Sequence, residues 1–407
     1  MKSREVTVGL DVGTTKVSVV VAEVGETGEL SVLGIGDRPC EGLERGMVVN
    51  LEATTSAVAE AIRAAEQMAG IQIKSVLCGI AGEHVASRPS TGVIGVARKD
   101  KEITEDDLRR VLEAARTVAI PGDQQMLHCL PRGFVVDGQK GIRDPLGMTG
   151  IRLEALVQIV TVHSTAVQNL LRAVTRAGIG VDALVLEPLA SARAVLGEDE
   201  MDLGVLLLDI GGGTTDVLVY EAGAVTHAAV LGYGGRTVTN DLAIGLRTPV
   251  EQAERLKVQY GSAIASKVPL DASLEVPGVG GREPRLVSAQ VMAGIVEDRM
   301  EEILKLALKE VERAVNPSIL GAGVVLTGGT ASLRGMCDLA ERVLGLPARV
   351  GIPEGLNGVS DLASEPRFAS AVGLVRYAAA EGRTRRVGSK LFDRMPRPFR
   401  DWFRDNF

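Results

Sequence analysis

Aromatic side chains are scarce in this sequence, at 3% of 407 residues. The only Trp and three of the six Phe lie in the final stretch RMPRPFRDWFRDNF, residues 394–407. The four Cys, at positions 40, 78, 129 and 337, form no C-x-x-C pair, and the four His are as widely scattered. This spacing excludes a disulfide framework and a zinc-site pattern, so we expect the cysteines to be reduced thiols in the core.

Long apolar runs are also missing. The N-terminal MKSREVTVGL has no apolar signal-peptide core, and no uncharged apolar stretch reaches the roughly 18 residues of a membrane span. Hydrophobic residues make up 45% of the chain and charged residues 24%. These features predict a soluble, cytoplasmic protein body, long enough for two or more domains.

Charge is distributed unevenly. Residues 381–407 contain eight Arg or Lys and four Asp or Glu, a net +4, whereas the whole chain carries −7, which leaves −11 for the preceding body. An acidic body argues against a surface that coats nucleic acid. The basic end favours a terminal segment with an anionic target of its own.

Two stretches share one pattern, in which an apolar strand ends in Asp and a glycine turn with two Thr leads into a second strand. They are VTVGLDVGTTKVSVVVAEV near the start and GVLLLDIGGGTTDVLVYEAG about half a chain later. Because glycine lacks a Cβ, backbone N–H groups of such turns can approach phosphate oxygens closely. Either stretch alone would fit an ordinary Gly-rich hairpin. The matched pair favours a clamp on one nucleotide.

The residues of this clamp have separate expected roles. The hydroxyls and Lys16 add donors to the phosphates, and carboxylates from both turns suit a hydrated Mg²⁺. The first turn supplies Asp11, Gly13, Thr14, Thr15 and Lys16, and the second supplies Asp209, Gly211, Gly212, Gly213, Thr214 and Thr215. Asp11 and Asp209 are the predicted magnesium ligands, acting through water.

A third stretch supports the clamp. GVVLTGGTASLRGM reads as a buried strand that ends at Gly328 and Gly329, followed by the start of a helix whose N-terminus faces a phosphate. Together the three motifs resemble the phosphate and adenosine motifs of the actin, Hsp70 and sugar-kinase superfamily. An Hsp70 would need a further peptide-binding domain for which this chain has no room, whereas a sugar kinase is compatible with the length.

A finer resemblance to FtsA, the actin-like family of bacterial cell division, runs along nearly the whole chain. It is carried by GLERGMVVNLEAT, ITEDDLRRVLEAARTVAIP, GIRDPLGMTGIRLEA, LEPLASARAVL, GGRTVTNDLAIGLRTP and AERLKVQYGSA. The resemblance implies an α/β fold: a two-domain actin-like ATPase with an inserted α/β subdomain and a C-terminal amphipathic helix. The expected divisions are 1–83 with 164–198 (first domain), 84–163 (insert, SHS2-like), 199–235 with 316–380 (second domain), 236–315 (its small subdomain), 381–389 (linker) and 390–407 (membrane-targeting segment).

The same resemblance implies ATP and Mg²⁺ as ligands and assigns further residues. Glu254 and Lys257, three apart on one helical face, would contact ribose and adenine, although a solvated ion pair would give the same spacing. Glu187 of LEPLAS matches the position that orients the attacking water in actin-like proteins. The small subdomain would receive the C-terminal peptide of the ring protein FtsZ, with Arg299 as the candidate cation. The insert would serve self-association and contacts with later division proteins.

The terminal segment has an amphipathic pattern. On a helical wheel Phe399, Trp402, Phe403 and Phe407 fall within an arc of about 140°, with Arg400 and Arg404 outside it. Such a helix suits the headgroup layer of anionic lipid, and the family resemblance implies a membrane anchor. The alternative is a helix docked on its own body. Pro396 and Pro398 limit how far any helix extends backwards.

These observations predict an ATP-binding protein that polymerises at the cytoplasmic face of the membrane and tethers the division ring. Nucleotide would act more as a switch than as a substrate, with weak or regulatory ATPase activity at most. The rival predictions are another actin-like adaptor, of the pilus-assembly type, and a small-molecule kinase of the same superfamily.

Overall fold

The computed structural model describes residues 6–25, 29–98 and 100–386. The first part of the chain forms β1 (Val6–Val12), β2 (Lys16–Val24), β3 (Leu30–Pro39), β4 (Leu43–Glu44), β5 (Met47–Val48), α1 (Leu51–Ala69) and β6 (Ser75–Ile80). It continues with β7 (Ala86–Gly95), α2 (Glu105–Arg116), β8 (Gln124–Val136), β9 (Gln139–Ile142) and β10 (Arg152–His163). Next come α3 (Ser164–Arg176), β11 (Gly180–Leu186), α4 (Glu187–Val195) and α5 (Glu198–Leu203).

The second part of the chain contains a further set of strands and helices. The first of these are β12 (Val205–Ile210), β13 (Thr215–Glu221), β14 (Ala224–Leu231), α6 (Gly235–Gly245), α7 (Val250–Tyr260), β15 (Ser273–Val276), β16 (Arg285–Ser288) and α8 (Ala289–Ala314). The last are β17 (Val324–Thr327), α9 (Met336–Leu344), β18 (Ala348–Val350), β19 (Leu356–Gly358), α10 (Ser360–Ala363) and α11 (Ala369–Arg386).

The first domain is built on a six-stranded sheet in the order β11-β6-β1-β2-β3-β19. Its central strand β2 is buried along most of its length, as expected for a sheet covered on both faces. Helix α1 approaches one face closely at Gly36, where a Cβ would lie 1.9 Å from the Ala61 carbonyl oxygen. Helix α11 approaches the other face at Gly9, where a Cβ would lie 2.5 Å from the Ala371 oxygen.

The insert is a separate layer of sheet and helix. Strands β7, β10, β8 and β9 form a four-stranded antiparallel sheet in that order, and α2 packs against it over its own apolar cluster. Thr104 and Asp107, three residues apart in the sequence ITEDDLRR, have the spacing of a capping box, and the structure has its two bonds: the Thr104 side chain accepts from the Asp107 N–H and the Asp107 carboxylate accepts from the Thr104 N–H.

The second domain repeats the theme of the first. Its sheet has the order β14-β13-β12-β17-β18, with β12 and β13 antiparallel and β17 parallel to β12. Helix α8 packs against β13 and β14, and the small hairpin β15–β16 precedes it. Each central hairpin, β1–β2 and β12–β13, therefore ends in a glycine turn, as the sequence predicted.

The end of the described chain returns to the first domain. Strand β19 pairs in parallel with β3, and α11 packs against β1 and α4. Helices α4 and α11 meet closely, since a Cβ on Gly373 would lie 1.8 Å from the Ala190 carbonyl oxygen. The assignment of residues 316–380 to the second domain therefore fails from β19 onward, because these residues bury their apolar side chains against the first sheet.

Candidate functional site

The two glycine turns meet at a cleft between the domains. The cleft has a volume of about 960 Å³ and is lined by side chains and backbone from both halves of the chain. Most of the site residues predicted from the sequence line this cleft: Asp11, Gly13, Thr14, Thr15, Lys16, Glu187, Asp209, Gly211, Gly212, Gly213, Thr214, Glu254, Lys257, Gly328 and Gly329.

Both turns have the same hydrogen bond. Gly13 N–H donates to the Lys16 carbonyl and Gly211 N–H to the Thr214 carbonyl, each at 2.9 Å. The carbonyls of Gly211 and Gly212 accept from the N–H groups of Gly235 and Arg236 at the start of α6.

The next N–H groups in each turn remain available. Within residues 6–25, 29–98 and 100–386, the N–H groups of Thr14, Thr15, Gly212 and Gly213 donate no hydrogen bond to another group of the chain. The turns therefore combine occupied carbonyls with available N–H donors, which is the arrangement that binds an anion.

The two turns touch across the cleft. A Cβ on Gly212 would lie 2.4 Å from Thr15 Cγ2, and one on Gly213 would lie 2.4 Å from Thr14 Oγ1. A side chain at either glycine would push the two hairpins apart. The glycines thus serve the approach of the domains as well as access to the backbone.

Four carboxylates converge behind the turns. Burial, reinforced by the charges of Asp209 and Asp37 and opposed by Lys16, raises the pKa of Asp11 to about 6. Burial is also the main reason that the pKa values of Glu187, Asp209 and Asp216 lie above their usual range. Repulsion from the neighbouring carboxylates adds to this effect at Glu187 and Asp216. The site therefore disfavours the ionised form of these carboxylates, and a cation bound beside them would offset this cost.

Of these four carboxylates, Asp209 has the most side-chain hydrogen bonds within the described residues. Ser191 Oγ of α4 donates to Asp209 Oδ2 at 2.5 Å, and Ser370 Oγ of α11 lies 3.2 Å from the same oxygen. Gly328, at φ +83°, makes room for the other oxygen, because a Cβ there would lie 2.4 Å from Asp209 Oδ1. Elements from both domains therefore fix this one side chain.

Asp216 differs from Asp209 in having an unsatisfied atom. Its Oδ1 is buried and has no hydrogen-bond partner within the described part of the chain. An unpartnered carboxylate oxygen among other carboxylates is costly unless a cation binds nearby.

The carboxylates of the cleft fit a magnesium ion whose coordination shell is completed by water and by the phosphates of a bound ligand. Within the described residues, no three His, Cys, Asp or Glu side chains form a group that could hold a metal ion alone. Mg²⁺ commonly binds through one or two carboxylates, with water and substrate phosphates completing its shell. Asp11 and Asp209, with Asp216 beside them, match that requirement.

Lys16 is held at the floor of the cleft. Its Nζ donates to Ser18 Oγ at 2.5 Å and to the Arg367 carbonyl at 2.6 Å, and it lies 4.6 Å from the centre of the Phe368 ring. Burial lowers the pKa of Lys16.

Glu254 and Lys257 form a network on the other side of the cleft. Lys257 Nζ donates to Glu254 Oε2 at 2.7 Å, to Thr239 Oγ1 at 2.9 Å and to the Gly235 carbonyl at 3.0 Å. Thr239 Oγ1 donates to the same Glu254 oxygen. All three ammonium hydrogens of Lys257 thus have partners on the chain. The side chain of Glu254, which lines the cleft, is 48% exposed, and its hydrogen bonds within the described residues use Oε2 and leave Oε1 available.

The third motif departs from its predicted form. Gly329–Ser332 is a short 3-10 turn, and the helix α9 begins only at Met336. The Thr330 hydroxyl donates to the Gly211 carbonyl at 3.0 Å, so this residue braces the second turn. The predicted helix N-terminus at this point of the cleft is therefore wrong.

Two other predicted residues have partners away from the cleft. Thr215 is fully buried, and its hydroxyl donates to the Tyr233 carbonyl at 2.8 Å. Arg299 of α8 makes ion pairs with Asp241 and Glu302, both at 2.5 Å. The proposed membrane residues Phe399, Arg400, Trp402, Phe403, Arg404 and Phe407 lie outside the described residues.

Several residues of the site were missed by the sequence reading. Asp216 follows directly after the second turn, and Ser191 lies one helical turn after Glu187, so their spacing was a usable signal. Arg367, Phe368 and Ser370 come from the far end of the chain, and no motif marks them.

Comparison with known proteins identifies close relatives. A family model described as "Cell division protein FtsA" matches residues 206–373, and another, "SHS2 domain inserted in FTSA", matches residues 82–161. The "Cell division protein FtsA" of Pseudomonas aeruginosa is 45% identical over 377 residues, or 93% of this chain and 90% of that protein. The protein of the same name from Neisseria meningitidis serogroup B is 44% identical over 91% of this chain and 89% of its own.

Solved structures with lower identity have the same fold. The "PilM-PilN type IV pilus biogenesis complex" aligns with a TM-score of 0.63 at 20% identity, covering 93% of this chain and 99% of the other. MreB5 of Spiroplasma citri, bound to ADP in its own structure, aligns with a TM-score of 0.57 at 15% identity over 94% and 99%. The architecture is that of an actin-like ATPase fold with an SHS2 insert.

Proposed function

Because the chain belongs to the FtsA family of cell-division proteins, we propose that it binds ATP with Mg²⁺ and polymerises at the cytoplasmic face of the membrane. In this proposal the polymer tethers the FtsZ ring to the membrane at the division site. Among the described residues, none of the helices has both the length and the apolar character to span a bilayer. We assign the proposed attachment to the terminal segment that contains Trp402, because its sequence has an amphipathic pattern.

The observation that carries the nucleotide proposal is the cleft where the two glycine turns meet. The residues that carry the available N–H groups of both turns line a space of about 960 Å³, and four carboxylates with raised pKa values line the same space. Phosphates satisfy the donors, and a divalent cation neutralises the carboxylates. An anionic ligand that carries its own cation suits both halves of this site, and Mg-ATP is such a ligand.

The residues of the chain then have defined tasks. The turn N–H groups and Lys16 bind the phosphates, while Asp11 and Asp209 hold the hydrated magnesium ion that supplies charge neutralisation. Glu254 accepts from ribose hydroxyls, and Lys257 with Thr239 holds it in place. Glu187 is the candidate for orienting the attacking water. Its side chain packs against Gly79, because a Cβ on that glycine would lie 2.7 Å from the Glu187 Cγ.

A nucleotide bound between the domains biases their closure. The closed form would pack head to tail into filaments, because a contact between unlike surfaces that does not close on itself propagates. ATP then works as a switch for assembly. The insert and the second domain would supply the contacts to neighbouring subunits and to other division proteins.

Electron microscopy on lipid monolayers tests the proposal. With Mg-ATP we expect ordered filaments of the wild-type protein on anionic lipid, and none without nucleotide. Asp209→Asn should bind ATP at least tenfold more weakly and form no filaments, because it removes charge at the cation site with little change of shape. The matched control is Asp182→Asn, at an exposed carboxylate outside the cleft.

Filaments that form equally well without ATP, or an Asp209→Asn protein with unchanged ATP affinity, would refute the nucleotide switch. The kinase alternative makes a different prediction, namely the appearance of a phosphorylated small molecule during incubation with ATP.

The small subdomain is the proposed receptor for the FtsZ peptide. The side chain of Arg299 is partly buried, at 25% exposed, and its guanidinium forms ion pairs with both Asp241 and Glu302. An acidic peptide would therefore have to compete with these two carboxylates, which makes the contact sensitive to salt. If peptide affinity is the same for wild type and Arg299→Glu, this residue is not part of the receptor.

A further inference from the structure

Residues 366–370, Pro-Arg-Phe-Ala-Ser, cross the floor of the cleft just before and at the start of α11. We call this segment the strap. It lies roughly 350 residues after the first turn in sequence, and Arg367 and Ser370 line the same cleft as Lys16 and Asp209. Its contacts reach both glycine turns.

On the side of the first domain the strap closes a ring of hydrogen bonds. Lys16 Nζ donates to Ser18 Oγ, and Ser18 Oγ donates to Asp37 Oδ1 at 3.1 Å. Asp37 Oδ2 accepts from Arg367 Nη1 at 3.0 Å, and the Arg367 carbonyl accepts from Lys16 at 2.6 Å.

The aromatic side chain of Phe368 lies beneath these four hydrogen bonds. It is 2% exposed, and its centre is 4.6 Å from Lys16 Nζ and 4.7 Å from the Arg367 guanidinium carbon. Cations at such distances over a ring face are attracted to it, most strongly where water is excluded. The ammonium is thus fixed from below as well as from the side.

On the side of the second domain the strap makes three hydrogen bonds. The Pro366 carbonyl accepts from Gly328 N–H at 3.2 Å and from Thr327 Oγ1 at 3.3 Å. Ser370 Oγ donates to Asp209 Oδ2 at 3.2 Å.

Lys16 retains the capacity to bind a ligand. An ammonium group has three N–H donors, and the contacts with Ser18 and the Arg367 carbonyl use two of them. One donor is left for a phosphate oxygen in the cleft that Lys16 lines.

We propose that the strap is a positioning element of the nucleotide site, holding Lys16 of the first turn and Asp209 of the second in fixed places around the phosphates. This inference rests on the proposed function and extends it to residues that no motif marks. In this proposal Phe368 positions the phosphate-binding cation, Lys16, and Ser370 positions the magnesium-binding carboxylate, Asp209.

Two variants separate these roles from simple support of the fold. Phe368→Leu keeps an apolar side chain and removes the ring. Its affinity for ATP should fall about 3- to 10-fold while its affinity for AMP, which lacks the outer phosphates, stays the same. Ser370→Ala should reduce the gain in ATP affinity that Mg²⁺ gives over EDTA by about 3- to 10-fold, with affinity in EDTA unchanged.

The controls are Phe134→Leu and Ser90→Ala, which change the same residue types in the insert, away from the cleft. Both should leave the ATP-to-AMP and magnesium-to-EDTA ratios at wild-type values. All proteins are compared as full-length chains after their thermal unfolding has been measured.

Parallel loss of ATP and AMP affinity in Phe368→Leu, or wild-type ratios in both strap variants, overturns the inference while leaving the nucleotide site in place. If Phe368→Leu does not fold, the ratio in Ser370→Ala decides. A wild-type protein that binds no ATP overturns the proposed function itself, and this inference with it.

Discussion

At the scale of single residues, His84 is a buried side chain whose protonated form is destabilised in the folded protein. Both of its ring nitrogens are buried without a hydrogen-bond partner in the described structure, and the His163 ring lies 6.0 Å away. Burial, with a smaller contribution from the charge of His163, lowers the pKa of His84 from 6.5 to about 4. Below pH 6.5 the unfolded chain therefore binds a proton that the folded chain does not, and stability falls as the pH falls towards 4.

We predict that His84→Leu removes part of this acid sensitivity. Between pH 7.5 and pH 5 the wild-type protein should lose about 2 kcal/mol more unfolding free energy than the variant, from the 6.5-to-4 difference in pKa. Urea unfolding at the two pH values measures the difference. Equal losses in both proteins would show that another group controls the acid response.

At the scale of elements, local patterns predicted what local contacts decide. The two hairpins follow from β-branched runs interrupted by glycine turns, and α4 begins at Glu187 next to a proline in its first turn. Helix α2 follows from the spacing of Thr104 and Asp107, whose reciprocal bonds need only neighbouring residues.

Long-range contacts account for what the sequence did not predict. The letters after Gly329 resemble a helix cap, but the Thr330 hydroxyl is taken by the Gly211 carbonyl of another motif, and the helix starts at Met336. The strap is the clearest case, because Phe368 and Ser370 gain their roles only from residues that lie far away in sequence. No periodicity within residues 366–370 encodes those contacts.

The cap of α2 gives a prediction at this scale. Thr104→Ala removes the acceptor for the Asp107 N–H and should cost about 1 kcal/mol, which corresponds to about fivefold faster hydrogen exchange in α2. Thr117→Ala is the control, since its hydroxyl donates to the Glu113 carbonyl at the other end of the helix. Unchanged exchange in Thr104→Ala would mean that packing against the sheet alone sets the stability of α2.

At the scale of the whole molecule, the contact between the two turns sets how far the domains can close. Gly212→Val places a branched side chain where a Cβ alone would lie 2.4 Å from Thr15. We expect a larger radius of gyration in X-ray scattering and about tenfold weaker ATP binding, because the hairpins must separate.

Gly122→Val is the matched control, as no heavy atom of the described residues lies within 4 Å of its Cβ position. It should behave as wild type. If Gly212→Val keeps the wild-type radius and ATP affinity, the turns do not need this close approach, and the clamp between the domains is disproved.

The terminal segment gives the last prediction, made from the sequence for residues outside the described structure. The stretch after Pro398 has nine residues, fewer than the roughly 12 to 15 at which an isolated helix becomes marginal, so order should come with lipid. Trp402 and Phe403 would each bury on the order of 150 to 250 Å², and many copies on one filament would add their weak affinities.

Trp402→Glu with Phe403→Glu should therefore release the protein from anionic liposomes and leave ATP binding intact, whereas Asp405→Ala should not weaken binding. If the double variant co-sediments with liposomes as well as wild type at every protein concentration, the segment is not the anchor, and a helix docked on the protein body becomes the better interpretation.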